Sequence, residues 1–136
     1  MRKAIAAGAL ALVSAASCLA LAPTASAAPN ACVTSSLTTG AYEGVGSTPS
    51  KSATSSCNDL NLTQALNATA RLYDYYAGRL YYSSSGSWRT CNAGYVYVAD
   101  GSYAVDAIVL CSDVKDNTRF TVASWYEGGD FVDITH

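Results

Sequence analysis

Histidine is almost absent from this sequence: one of 136 residues is histidine, and it is the last, His136. Catalytic Ser-His-Asp and Cys-His arrangements need an oriented imidazole, and a terminal residue is expected to fray, so neither arrangement is expected. No histidine pair is available for a metal, and no C-x-x-C spacing occurs, which removes the usual zinc patterns. Charge is also sparse, with 13% of residues charged and a formal net charge of −2. Without a basic excess there is no general attraction to phosphate backbones or anionic lipid, so nucleic acid and membrane surfaces are not expected partners. A G-x-S-x-G nucleophile turn and a phosphate-cradling glycine loop are missing too, and no cofactor is expected. Glu43 and Glu127 are the remaining catalytic option, but each lies in a segment too irregular to hold a carboxylate pair at a fixed separation. Asp113, Asp116, Asn117, Asp130 and Asp133 lack the D-x-D-x-D-G spacing of a calcium loop and read as solvated turn residues. The chain is therefore not expected to be an enzyme.

What is present begins with a leader. Arg2 and Lys3 precede an apolar stretch from Ala4 to Ala22, and Ala25-Ser26-Ala27 is a small-residue cleavage signature. Residues 1–27 are expected to be a signal peptide and the chain to be secreted, with removal of Arg2 and Lys3 taking the formal charge from −2 to −4. Cys18 could be read as a lipoprotein cysteine, but more apolar leader and a better cleavage site follow it. Residues 28–136 then suffice for one domain with a hydrophobic core.

Cys32, Cys57, Cys91 and Cys111 remain. An even count in a short exported chain means disulfides, here two. Four cysteines allow three pairings. Cys32 with Cys57 and Cys91 with Cys111 are favoured, because each pair brackets a local unit, and each closed loop contributes about 3 kcal/mol in the chain-entropy account.

Between Thr34 and Ser56, fifteen of twenty-three residues are Ser, Thr or Gly, and Leu37, Tyr42 and Val45 are the substantial apolar anchors. Such a segment cannot bury itself. Residues 28–56 are expected to form an extended arm, ordering on the domain's own surface or on a partner's, and the staple at both ends argues against a plain tether.

Past Cys57 the signals are mainly β. Leu60, Leu62 and Leu66 recur at even spacing, with a helix over residues 60–70 as the competitor. Residues 70–76 and 79–83 read as strands around an Ala77-Gly78 turn. Trp88 to Ala99 and Ser102 to Ser112 alternate on either side of Asp100-Gly101 and are expected to pair as a hairpin. Lys115-Asp116-Asn117 and Glu127 to Asp130 mark two further turns, around strands at residues 118–126 and 131–135. Short strands at regular spacing in a disulfide-bearing chain predict an antiparallel β-sandwich over residues 57–136. The Cys91 and Cys111 pair would join neighbouring parts of the hairpin or bridge the two sheets.

Ten tyrosines and two tryptophans accompany many Ser, Gly and Asn residues. This palette suits recognition surfaces, although alternation at Tyr73 and Tyr75, or Tyr95 and Tyr97, also follows from tyrosine being a good strand residue.

Ala28-Pro29-Asn30-Ala31-Cys32 with the Ser/Thr/Gly segment after it, and Trp88-Arg89-Thr90-Cys91 followed by Val109-Leu110-Cys111-Ser112, give the chain a layout that resembles small exported β-sandwich proteins of filamentous actinobacteria. Among these it is similar to the linker subunits of umbrella toxin particles. That resemblance implies a secreted adaptor in an extracellular toxin complex, whose N-terminal extension docks into a lectin-bearing partner. Leu37, Tyr42, Glu43, Val45 and Lys51 are the candidate partner-binding residues on the arm, with strand-edge addition as the other docking mode. Two alternatives stand beside the adaptor. One is a carbohydrate-binding module stacking sugars on Trp88, Trp125 and tyrosines, which requires coplanar exposed rings; the other is a protease inhibitor presenting Lys51.

Overall fold

The computed structural model describes residues 31–136; the leader expected over residues 1–27, and residues 28–30, lie outside the described residues. The protein is all-β with antiparallel sheets, as its strand spacing predicts. Among the described residues nine strands follow in order: β1 (Thr34–Thr38), β2 (Leu60–Leu66), β3 (Tyr73–Tyr82), β4 (Ser87–Thr90), β5 (Val96–Ala99), β6 (Gly101–Ser102), β7 (Val109–Cys111), β8 (Phe120–Ser124) and β9 (Phe131–Thr135). One sheet runs β1-β9-β2-β6 with β7 also on β2; in the other, β5 and β4 pair with successive halves of β3, and β8 pairs with its middle.

The sheets meet through Leu37, Leu60, Leu62, Ala65, Leu110, Val132 and Ile134 on one side and Tyr76, Val98, Phe120 and Val122 on the other, all buried. Removing these side chains from water is the main source of stability, at about 1.5–3 kcal/mol for each large one. The two disulfides are Cys32–Cys57 and Cys91–Cys111. Cys91 directly follows β4 and Cys111 ends β7, so the second bridge ties one sheet to the other.

Four expectations are corrected. Residues 60–66 are a strand, as their even spacing suggests and against the competing helix, but Leu60, Leu62 and Leu66 do not share one face, because the phase changes inside the strand. Partners step from Leu62↔Ile134 to Gln64↔Asp133, leaving Thr63 as the bulged residue; Ala65 then faces the core and Leu66 points outward. Ala77-Gly78 is no turn but the centre of β3. A Cβ at Gly78 would press on Cys111 Sγ and lie 3.1 Å from Leu110 Cβ, so glycine is there to admit the opposite sheet.

The third correction concerns Asp100-Gly101, which does not reverse a hairpin. β5 lies on β3, whereas Gly101 and Ser102 pair with Ala65 and Gln64 of β2, so the chain changes sheets at this point. Asp100 holds the crossing, its backbone N–H donating to Leu72 O (2.9 Å) and its Oδ1 accepting from Asn67 N–H (2.8 Å).

The fourth concerns the arm expected over residues 28–56. From residue 31 onward it rests on the domain itself, and no boundary falls at residue 57. β1 pairs with β9 along its whole length, and Leu37 enters the core at 2% exposure. The chain then crosses to the other sheet. Gly40 N–H donates to Val122 O and Gly40 O accepts from Ser124 N–H, both at 2.9 Å, which satisfies the otherwise open edge of β8. Further on, Phe120 N–H donates to Pro49 O and Lys51 N–H to Thr118 O.

Candidate functional site: an aromatic face

Alternation along β3 places Tyr73, Tyr75, Ala77, Arg79 and Tyr81 on the side away from the core, and pairing adds Tyr97 beside Tyr75 and Trp88 beside Tyr81. Trp125 extends β8, its N–H donating to Tyr75 O at 2.9 Å. Ala77, Thr121 and Ala123 also face outward yet are fully buried, because the crossing segment lies over them. Gly46 N–H donates to Thr121 Oγ1 (3.1 Å), and Arg79 Nη1 donates to Gly44 O (2.8 Å) and to Glu43 O. The segment thereby divides the outer face in two.

On one side of the divide the rings interlock. Tyr42 stacks on Tyr95 at 5.2 Å with an interplanar angle of 17°, and Trp125 meets Tyr42 and Tyr95 edge-on at 79° and 83°. Tyr75 meets Tyr97 at 70° and Tyr126 at 62°, and Tyr73 meets Tyr126 at 78°. Arg71 lies 3.8 Å from the Tyr126 ring centre. Exposure is 50% at Tyr42, 55% at Tyr97, 47% at Trp125 and 41% at Tyr126. Between Tyr75, Tyr95, Trp125 and Tyr126 runs an open groove of about 310 Å³. Trp88 stands on the other side of the divide with Tyr81 and Arg119, so the two tryptophans do not share a surface.

The patch is held from beneath. Glu43 takes a left-handed backbone (φ 51°), which a non-glycine residue keeps only under constraint. The constraint comes from Arg79 on its carbonyl and from Tyr95, whose hydroxyl accepts its N–H at 2.7 Å. Burial pushes the Tyr95 phenol up, so it stays protonated at neutral pH. Buried Asp74 accepts N–H groups from Tyr75 (2.6 Å) and Tyr126 (3.4 Å), fixing the backbone under both rings. Burial raises its pKa, with Asp130 adding to the rise and the two backbone bonds opposing it. Asp130 is also buried, where a solvated turn residue is expected. Its carboxylate accepts from Ala68 N–H (2.7 Å) and Tyr76 Oη (3.0 Å), locking the turn after Trp125 to the end of β2.

The candidate residues on the arm separate. Tyr42 and Glu43 reach the aromatic face, Val45 is exposed on the same segment, and Leu37 belongs to the core. Lys51 is 1% exposed, its Nζ donating to Ser52 O (2.7 Å) and facing Asp116 Oδ1 (3.6 Å). An inhibitor must project such a side chain into solvent, so the Lys51 reading is withdrawn. His136 is not frayed. It is 2% exposed, between Ser35 Oγ and the Ser52 N–H, each 2.9 Å from a ring nitrogen. Since Ser52 N–H donates to Nδ1, the neutral ring carries its proton on Nε2 and donates to Ser35. Burial, then the Lys51 charge, lowers its pKa.

Six rings of the patch, from Tyr73, Tyr75, Tyr95, Tyr97, Trp125 and Tyr126, are not among the arm residues singled out from the sequence. Their signal was the same-face spacing of Tyr73 with Tyr75 and of Tyr95 with Tyr97. Among the described residues no group of three or more His, Cys, Asp or Glu is arranged to hold a metal, and no helix is long and apolar enough to cross a membrane. Comparison with protein-family profiles, curated proteins and solved structures gives no match.

Proposed function

We propose that this chain is a secreted, non-catalytic binding subunit that holds a protein partner on the aromatic face. The observation that carries the reading is the convergence of seven rings, from segments far apart in sequence, on one solvent-facing patch: Tyr42, Tyr95 and Trp125 in one contacting cluster, and Tyr73, Tyr75, Tyr97 and Tyr126 in a second across the groove. Tyrosine and tryptophan supply large contact area at small entropic cost, and such residues dominate the energetic centres of protein interfaces. A soluble domain gains nothing for its own folding by leaving Tyr42, Tyr97 and Trp125 half exposed. The near-perpendicular ring pairs do not make the coplanar platform that sugar stacking requires. The paired disulfides fit an oxidising extracellular setting, and an adaptor role fits the resemblance to toxin-particle linker subunits, with the face replacing the arm as docking element.

The test is capture of partners from culture supernatant by the tagged protein and by a Tyr42→Ala, Trp125→Ala double variant. Both residues are half exposed, so the fold tolerates their truncation. Capture should fall at least about tenfold, the loss of one interface hot spot. Trp88→Ala should leave it unchanged; capture that survives the double variant refutes the reading.

A further inference from the structure

We propose that β5 is a docking edge for a second copy of this chain, the two strands pairing antiparallel across a two-fold axis at Tyr97. Main-chain direction gives the first reason. Trp125 N–H donates to Tyr75 O, so the backbone polar groups of Tyr75 face β8, while those of Asp74 and Tyr76 face β5, opposite Val98 and Val96. Tyr97, directly opposite Tyr75, therefore turns its own N–H and C=O away from β3. Among the described residues β5 pairs with β3 alone, so both groups stand open at the margin of the sheet. A two-fold axis beside them lets each copy's Tyr97 N–H donate to the other's Tyr97 O, which satisfies all four groups at once.

The sequence of the edge gives the second, and it selects a second copy over an arbitrary strand. Val96-Tyr97-Val98 reads the same in both directions, so an antiparallel copy sets Val96 against Val98 and Tyr97 against Tyr97. Aromatic and β-branched residues are the favourable cross-strand neighbours in such a ladder. The Tyr97 ring is more than half exposed on the outer face, with Tyr73 and Tyr75 of its own copy beside it. Pairing adds the second copy's Tyr97 and runs the two aromatic faces into one.

Charge gives the third. A two-fold axis brings identical residues together, so a charged edge repels itself, and no residue from Thr90 to Ala99 is charged. Asp100, the next carboxylate, comes opposite Gly94 in this register, and its Oδ1 already accepts from Asn67 N–H. Sheet edges are ordinarily guarded by a cover, by charge or by shortness. The other edges here are guarded in those ways: Gly40 and Pro49 cover β8, Ser47 takes the N–H and O of Thr38 on β1, Arg89 charges β4, and β6 and β7 are two and three residues long. On β5 the next acceptor, Ala99 O, is taken by Tyr103 Oη at 2.6 Å. The ladder is therefore short, and the dimer is weak and concentration-dependent.

The experiment is analytical ultracentrifugation of the purified chain from about 1 µM to about 1 mM, with a monomer–dimer Kd on the order of 100 µM expected for so small a contact. Tyr97→Pro deletes the outward N–H without removing a bond to β3, whereas Tyr97→Phe keeps both main chain and ring. Dimerisation should weaken at least about tenfold in the first and stay within about threefold in the second. If Tyr97→Pro does not fold, Tyr97→Lys makes the same test by setting two like charges side by side, and high salt should restore part of the loss. Tyr97→Cys reads the register. Hydrogen-bonded antiparallel partners lie about 5.5 Å apart at Cα, within disulfide range, so mild oxidation should give a reducible dimer joined at position 97 in mass mapping. Leu66→Cys, equally exposed but on the other sheet, should give none. A chain that stays monomeric to about 1 mM overturns the proposal, as does a dimer equally strong with Pro or Lys at position 97, or one cross-linked as readily through position 66. None of these outcomes depends on whether the aromatic face holds a partner, so the two readings fail separately.

Discussion

Truncating Leu37 to alanine asks whether the Ser/Thr-rich segment is a detachable arm or a wall of the sandwich. Leu37 is 2% exposed and packs into the same core as Val132 and Ile134. Leu→Ala at such a position costs about 2–5 kcal/mol, the transfer of the lost methyl groups plus the cavity left behind. β1 is an edge strand that can settle inward, so a value near the lower middle, about 3 kcal/mol, is expected. Against a total stability of about 5–15 kcal/mol this is a large fraction. For a domain of about 100 residues it lowers the melting temperature by roughly 12 °C. With a urea m-value of about 2 kcal/mol/M the midpoint moves down by about 1.5 M. Val45→Ala, on the same segment but exposed, is the control and should change stability by less than about 0.5 kcal/mol. Calorimetry and urea unfolding followed by circular dichroism give both numbers. The Cys32–Cys57 bridge stays in place, so any loss reports packing rather than release of the chain end. If Leu37→Ala melts within about 2 °C of the parent, less than 1 kcal/mol, the segment is separable from the core and the docking arm returns.

Gly78→Ala drives a methyl group against Cys111 Sγ and Leu110, and should destabilise by about 1–3 kcal/mol in urea unfolding, whereas an ordinary strand glycine would gain from the change. For His136 the folded pKa lies below its ordinary value of 6.5, so the unfolded chain takes up the proton first. Its contribution to stability is therefore complete above pH 6.5 and is lost as pH falls from there towards the folded value. His136→Asn should flatten the fall in melting temperature between about pH 7 and pH 5, and an unchanged slope would refute the assignment of Nδ1 as acceptor.

Strand spacing, the disulfide pairing and the turns at Lys115 to Asn117 and Glu127 to Asp130 were legible because each rests on local chemistry: period-two burial, short loop closure, and residues that favour turns. The errors share a cause, in that long-range contacts assign local signals a different use. Asp100-Gly101 has the residues of a tight reversal, but Asp100 spends its backbone on Leu72 and its carboxylate on Asn67, and the chain turns between sheets instead. Ala77-Gly78 has the composition of a turn because Cys111 and Leu110 of the opposite sheet press on Gly78 from the core side, while the crossing segment covers Ala77 on the outer side. The bulge at Thr63 moves burial from Leu66 to Ala65, a change of phase that no even-spacing rule detects. His136 looks frayed in sequence, yet Ser35 and Ser52 hold its ring and Val33 exchanges backbone bonds with it at 2.9 and 2.8 Å.

Low apolar content made residues 34–56 look like an arm separate from the sandwich, laid on its surface or on a partner's, and that reading counted side chains alone. Apart from Leu37, this segment is held mainly through its backbone: Gly40 on β8, Gly46 on Thr121, the carbonyls of Glu43 and Gly44 on Arg79, and Pro49 on Phe120. Small residues suit that mode, since a Cβ at Gly40 or Gly46 would collide with neighbouring backbone. The same contacts set Tyr42 against Tyr95 and Trp125, so the segment builds the aromatic face and the fold at once. Deleting it would remove β1, uncover the edge of β8 and expose the core around Leu37. A loss of partner binding after deletion would then report unfolding. Substitution of exposed rings, which carry little of the core, is what separates recognition from stability in this protein.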